Sequence, residues 1–295
     1  MYSVFTVNSS NDWILPTKSN LINFSVLKEV SGGAPFRSFS VKYVCRGHER
    51  YVVNGNKYSI NSGEYLLANH FAEGVVEIDK EVTGICIDVA PDLLSEVVAS
   101  VRRPDSLVAD IALDTFFNTS LFLENRYRSS ETAVGRFMSV LDAQITNEPK
   151  RLYSFSREFY YTLAEKIVED HVPVFKQLQA VKAVRSLTRK DLYRRIAKGK
   201  EFIEQNFSRP MQVEEVARDC GISEYHFFRL FKSVFGISPH QYLLKCRLGF
   251  AAQLMRSSGA SVSDAALLSG FSDVYSFSKT FKKHFGVSPS LIIKI

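Results

Sequence analysis

The chain has 295 residues, 45% of them apolar and 23% charged, and a formal charge of +6. That composition is ordinary for a globular protein, excludes extended disorder, and fits one large domain or two of about 100–200 residues each. No stretch approaches the roughly 18 apolar residues of a transmembrane helix, and Met1 to Thr6 lacks the basic start and apolar run of a secretory signal, so a cytoplasmic protein without a membrane partner is expected.

The charge is unevenly spread. Residues 1–190 carry 22 basic and 22 acidic side chains, whereas residues 191–295 carry 15 and 9. The whole excess lies in the last third, which points to an anionic polymer as the partner of that part. Cys45, Cys86, Cys220 and Cys246 are far apart and form no C-x-x-C pair. They read as buried, reduced thiols, and zinc-type spacing is absent.

Along the first ninety residues, strands are expected within Phe36 to Val44, Arg50 to Val53, Tyr58 to Ile60, Glu64 to Ala68, Val75 to Ile78 and Val82 to Val89. Asn54-Gly55 after a β-branched run predicts a type I′ hairpin, whose two central residues need positive φ. Short strands at this spacing predict a sandwich or barrel. Phe39, Tyr43, Tyr51, Tyr58 and Tyr65 are aromatic positions on these strands, and they are the candidate lining of a small-molecule site.

Helices follow Pro91. Leu93, Leu94, Val97, Val98 and Val101 recur at helical spacing. A second stripe carries Val134, Phe137, Met138, Leu141 and Ile145, and a third carries Leu152, Phe155, Phe159, Leu163 and Ile167. The turn Asn147-Glu148-Pro149-Lys150 between them predicts antiparallel neighbours. The stripes either cover their own barrel or form a subunit interface. Phe137, Leu141, Phe155 and Phe159 are the candidate dimerisation residues. Pro173 is expected to stop the third helix. The expected division is residues 1–171, a linker over 172–190, and residues 191–295.

The last third repeats itself. Val213 to Ser223 aligns with Val262 to Ser272 at an offset of 49 residues. At an offset of 50, Tyr225, Phe227, Phe231-Lys232, Phe235-Gly236 and Ser238-Pro239 match Tyr275, Phe277, Phe281-Lys282, Phe285-Gly286 and Ser288-Pro289. Each copy has the parts of a helix-turn-helix. A small residue, Ala217 or Ala266, permits a close crossing. Gly221 or Gly270 ends the first helix in the left-handed conformation. Ser223 or Asp273 can cap the second helix. Phe227, Phe231 and Phe235, and likewise Phe277, Phe281 and Phe285, form a stripe expected to be buried. The helices near 224–235 and 274–285 then present Tyr225, His226, Phe228, Arg229 and Lys232, and Val274, Tyr275, Ser278, Lys279 and Lys282. Such faces suit base edges at the helix start and phosphates beyond it. A long helix from about His240 to Ser257 joins the copies.

These residues resemble the DNA-binding domain of AraC-family transcription regulators over all of 191–295. The carriers are Leu230-Phe231-Lys232, Phe235-Gly236-Ile237-Ser238-Pro239, Arg247-Leu248 with Ala251-Ala252, Gly270-Phe271-Ser272, and Ser276 through Pro289. The resemblance implies two helix-turn-helix units entering successive major grooves of promoter DNA. Base contacts would fall on Tyr225, Phe228 and Arg229, and on Val274, Tyr275, Ser278 and Lys279; Phe228 and Val274 depart from the polar residues often found there. It implies a transcription regulator that forms a homodimer, with RNA polymerase as a second partner where it acts as an activator. Tyr51 to Gly55, Tyr58, Gly63 and Leu66-Leu67 are similar to the cupin-like sensor of the same family. The implied fold is α+β, a cupin-like β-barrel with helices followed by an all-α domain. The sensor implies either a small-molecule effector or a pure association role. A metal cupin would need His-x-His and a Glu; here His48 stands alone beside Arg50, Val52 and Asn56. No metal, no cofactor and no enzyme chemistry is expected.

Overall fold

The computed structural model describes residues 2–7, 20–33, 36–100, 107–147, 155–181 and 186–292. The chain forms two compact units, Met1–Phe175 and Lys176–Ile295.

The first unit holds β1 (Tyr2–Val7), β2 (Leu21–Leu27), β3 (Val30–Gly33), β4 (Phe39–Arg46), β5 (His48–Val53), β6 (Asn56–Asn61), β7 (Glu64–Ala68), β8 (Gly74–Ile78), β9 (Val82–Val89) and β10 (Asn125–Arg128). They form a six-stranded sheet ordered β1-β2-β9-β4-β7-β10 and a four-stranded sheet ordered β3-β8-β5-β6. The β1–β2 pair is parallel. The β5–β6 hairpin turns at Asn54 (φ 48°) and Gly55 (φ 79°), both positive as a type I′ turn requires.

The two sheets enclose one apolar core. Leu27, Val44, Leu66 and Val82 come from the six-stranded sheet, and Tyr51, Val53, Ile60 and Ile78 from the other. Successive strand residues face opposite ways. The neighbours of these core residues on the six-stranded sheet therefore point to its other face. There Phe39 packs on Phe122 at 4.6 Å and on Phe117 at 5.9 Å between ring centroids. Tyr65 stacks on Tyr127 at 5.4 Å.

Four helices accompany the sheets: α1 (Pro91–Ser100), α2 (Leu107–Phe117), α3 (Ala133–Asn147) and α4 (Arg157–Ala180). The carboxylate of Asp170 accepts hydrogen bonds from the backbone N–H groups of Ala133 at 2.9 Å and Val134 at 2.8 Å. A negative group there also complements the N-terminal end of the α3 dipole. Farther along, Phe137 meets Phe159 at 5.1 Å, and Phe155 meets Phe159 at 4.6 Å. The two helices are thus antiparallel. Leu141 is only 4% exposed, so it belongs to this unit's own core and offers nothing to a subunit interface. Phe137, Phe155 and Phe159 are half-buried. Leu152 and the expected turn at 148–150 lie outside the described residues.

Pro173 does not end its helix. It sits inside α4, which continues to Ala180. A proline removes one ladder hydrogen bond, a loss this 24-residue helix absorbs. Residues 172–180 are therefore α4, and residues 186–190 open α5.

The second unit is helical: α5 (Ser186–Asn206), α6 (Val213–Asp219), α7 (Glu224–Phe235), α8 (Pro239–Ser258), α9 (Val262–Leu268), α10 (Val274–Phe285) and α11 (Pro289–Ile292). Ser238 caps α8 in a reciprocal box with Gln241. No helix among the described residues is long and apolar enough to cross a membrane.

Candidate nucleic-acid interface

The internal repeat reappears as repeated geometry. In the first copy, Gly221 N–H donates to Arg218 O at 3.0 Å and Ile222 N–H to Ala217 O at 3.0 Å. In the second, Gly270 N–H donates to Leu267 O and Phe271 N–H to Ala266 O, both at 3.0 Å. Each is a left-handed glycine cap closing the first helix of its pair. Both second helices stop alike, at Gly236 (φ 77°) and Gly286 (φ 78°). Asp273 caps α10 by accepting from Ser276 N–H at 2.7 Å, and this backbone bond lowers its carboxyl pKa. Ser223 holds the same position before α7 with no side-chain bond.

The inner stripe is buried at its first two rings in each copy. Phe227, Phe231, Phe277 and Phe281 have no exposed surface. The third rings differ from expectation: Phe235 is half-buried and Phe285 exposed. Both lie in the last turn, where Phe235 still stacks on Tyr242 of α8 at 6.5 Å between ring centroids. The second copy packs on Leu248, Ala251, Ala252 and Met255 of α8. The first copy uses α5, which the repeat itself does not contain. A Cβ on Gly199 would lie 2.5 Å from Phe227 Cε2, so only glycine lets α5 and α7 approach this closely.

The other faces of α7 and α10 are open. Tyr225 is 72% exposed and Tyr275 77%. His226, Arg229, Lys232, Lys279 and Lys282 are exposed and Ser278 is partly so. Phe228 and Val274 each keep 40% of their surface in water. The Arg229 guanidinium lies 5.6 Å from the Tyr225 ring centroid, and its Nη1 donates to Tyr225 Oη at 3.4 Å.

The cations sort by position. On α5, Arg195 pairs with Asp191 at 3.0 Å, Lys198 with Asp219 at 3.0 Å and Lys200 with Glu204 at 2.8 Å. Lys198 also donates to the carbonyl of Asp219 at 2.8 Å, and Arg195 to that of Gly221 at 3.2 Å, at the end of α6. By contrast Arg229, Lys232, Lys279, Lys282 and Lys283 form no ion pair among the described residues. Unpaired positive charge thus lies on both second helices.

Among the described residues of the first unit, no group of three or more His, Cys, Asp or Glu could hold a metal ion. A cavity of about 90 Å³ opens between its two sheets. Tyr43 and Tyr51 border it; Phe39, Tyr58 and Tyr65 do not. Phe39 and Tyr65 stand on the helix-covered face, and Tyr58 donates to Glu124 O at 3.1 Å. Two of the five aromatic positions thus border the cavity. The polar residues alternating with them, Ser40-x-Lys42 and Cys86-x-Asp88, face inward.

A helix-turn-helix domain family matches residues 216–294. A probable transcriptional regulator, LumQ, of Photobacterium leiognathi is 39% identical over 89 residues, 30% of this chain and 36% of that protein. The lactose operon transcription activator of Staphylococcus xylosus is 38% identical over 90 residues, 30% of this chain and 32% of that protein. The chain thus matches about a third of the length of these relatives. A solved AraC-type transcriptional regulator from Chromobacterium violaceum is 29% identical, covering 35% of this chain and 91% of that one, with a TM-score of 0.34. Paired units of this kind define a double helix-turn-helix protein. The last third of the chain is thus a helix-turn-helix domain of the kind found in AraC-type transcriptional regulators.

Proposed function

We propose that the chain is a sequence-specific regulator that binds double-stranded promoter DNA by placing α7 and α10 in successive major grooves. One observation carries this reading: among the described residues the cations of the two repeated second helices are exposed and form no ion pair, while Arg195, Lys198 and Lys200 of α5 are each paired with a carboxylate of the protein. In this arrangement Arg229 makes a bidentate contact to guanine, and Phe228 meets a thymine methyl. Tyr225, His226, Val274, Tyr275 and Ser278 lie along base edges, and Lys232, Lys279 and Lys282 meet phosphates. The test is electrophoretic mobility shift of the full chain on promoter fragments against competitor DNA at rising salt. Preferential binding that weakens steeply with salt is expected; equal affinity for all fragments would contradict it.

The first unit is proposed as an effector sensor and a homodimerisation unit, with the half-exposed edge of the α3–α4 pair at Phe137, Phe155 and Phe159 as the contact. RNA polymerase is the second partner where the bound regulator activates. The cavity between the sheets supports the sensor reading, because it offers a site where a bound small molecule can shift the state of this unit.

A further inference from the structure

The cavity of the first unit is chemically unusual for a sheet-on-sheet core. One end of that core is apolar, but the other is lined by Asn23, Ser25, Lys42, Glu49, Cys86 and Asp88. Three of these form a row. In the ladder registers Asn23 on β2 and Lys42 on β4 both pair with Cys86 on β9. Residues opposite one another in register share a face, so all three side chains project together toward β5.

Their hydrogen-bond state separates the groups that are satisfied from those that are not. Glu49 is capped by the Tyr51 hydroxyl at 2.7 Å, and Asp88 by the hydroxyl of Ser40. Lys42 is half-buried; among the described residues its Nζ has one hydrogen bond, to Cys86 Sγ at 2.9 Å, and lies 5.8 Å from the Phe36 ring centroid. Burial pushes the Cys86 thiol up to about 12, so sulfur here is neutral and a weak acceptor. Burial disfavours the Lys42 ammonium, but the nearby Asp88 and Glu49 carboxylates favour it and the charge stays. Asn23 is 2% exposed, and its side-chain oxygen has no hydrogen-bond partner. A buried acceptor without a partner is destabilising, and the Lys42 ammonium, with a single hydrogen bond among the described residues, keeps its other N–H donors open. Because Lys42 Nζ leans onto Cys86, these two open groups sit roughly one strand spacing, about 5 Å, apart.

We propose that this cavity binds a small hydroxy- or amino-carboxylic acid, its carboxylate on Lys42 and its neighbouring hydroxyl or amine donating to Asn23 Oδ1. The inference rests on the reading of the first unit as an effector sensor. Arg37 also lines the cavity. The two protein carboxylates favour the Lys42 charge from nearby, but among the described residues they accept hydrogen bonds from the hydroxyls of Tyr51 and Ser40 and not from Lys42. A neutral polyol would give the open Lys42 donors no anionic acceptor. A purely apolar acid would leave Asn23 without a donor and would meet the polar row with hydrocarbon.

Isothermal titration of the full chain with D-glycerate and L-serine tests this, with glycerol and propionate as probes that each lack one of the two groups. One equivalent of glycerate or serine is expected to bind, with glycerol and propionate at least tenfold weaker. Lys42→Met and Asn23→Leu should each weaken the acid about ten- to a hundredfold, the loss expected of one charge-assisted or buried hydrogen bond. Lys42→Arg should retain binding, which separates loss of the charge from loss of the fold. Absence of binding by either acid, equal binding by glycerol or propionate, or unchanged affinity in both Lys42→Met and Asn23→Leu would overturn the assignment. The same samples report DNA affinity. An acid that binds as described but leaves DNA affinity unchanged upholds the site and removes the sensor reading. DNA affinity that responds to glycerol alone keeps the sensor reading and removes the assignment.

Discussion

The carbonyl oxygen of Ser208 occupies the space that a Cβ on Gly270 would need, 2.6 Å away. The same turn is held from the other side by Arg247, whose Nε donates to Phe207 O at 2.7 Å and Nη2 to Arg209 O at 2.9 Å. The Arg247 guanidinium also lies 6.0 Å from the Phe271 ring centroid. The end of α5 is therefore clamped between α8 and the corner of the second helix-turn-helix. This clamp ties the second copy to the helix that packs on the first.

Gly270→Ala should cost roughly 2–4 kcal/mol, from left-handed backbone strain of about 1–2 kcal/mol and a steric overlap of comparable size. Gly236→Ala carries the same strain, at φ 77°, but its Cβ would meet nothing within 4 Å. It should cost only about 1–2 kcal/mol. Urea unfolding of the two variants checks this, and equal losses would contradict the clamp.

The repeat made most of the second unit legible, because glycine, proline and phenylalanine at fixed spacing each encode a backbone event. What it could not encode was α5. Gly199 and the ion pairs of Arg195 and Lys198 support the first copy from outside the repeat, at contacts whose sequence separation leaves no periodic trace. In the first unit the strands from Phe39 onward and the Asn54-Gly55 turn were legible from alternation and turn chemistry. The cavity was not, because aromatic rings draw attention as ligand stackers while here Phe39 and Tyr65 serve the helix-covered face. The signal present in the sequence was polarity on one strand face: Asn23 and Ser25, Ser40 and Lys42, Cys86 and Asp88. Register brings those pairs together, and register is not written in any single strand.

Arg229→Ala should weaken specific DNA binding by about 1–3 kcal/mol and relax preference at one base position. Lys279→Ala should weaken binding to all sequences alike and lower the slope of log affinity against log salt by about 1. Arg195→Ala should leave that slope unchanged, because its charge is matched by Asp191. Fluorescence anisotropy across a salt series measures all three. A change in slope for Arg195→Ala equal to that of Lys279→Ala would remove the distinction between α5 and the reading helices.

His171 gives the first unit a pH dependence. It is fully buried, its Nδ1 lies 2.8 Å from Ile167 O and its Nε2 lies 3.1 Å from Tyr127 Oη. Burial lowers its pKa to about 4. The unfolded chain takes up this proton near pH 6.5 and the folded one does not, so stability is complete above that pH and falls as pH drops toward 4. The loss should reach about 2 kcal/mol at pH 5. His171→Gln should flatten this dependence in urea unfolding at pH 7.5 and 5; an unaltered dependence would assign it to other groups.

Val140, on α3 beside Phe137, is 59% exposed. If the α3–α4 edge joins two chains, Val140→Glu and Phe155→Glu should each yield monomers by light scattering. Val140→Glu should do so without loss of thermal stability, because the side chain is open in the single chain. A mass that stays dimeric in both variants would place the contact elsewhere.

The most direct measurement is hydroxyl-radical footprinting of the full chain on its preferred promoter fragment. Two protected patches are expected on one face of the duplex, with centres about one helical turn or 10–10.5 base pairs apart. Gly270→Ala should lose the patch of α10 before that of α7. A single patch in the unaltered protein, or two patches on opposite faces, would contradict the placement of α7 and α10 in successive major grooves.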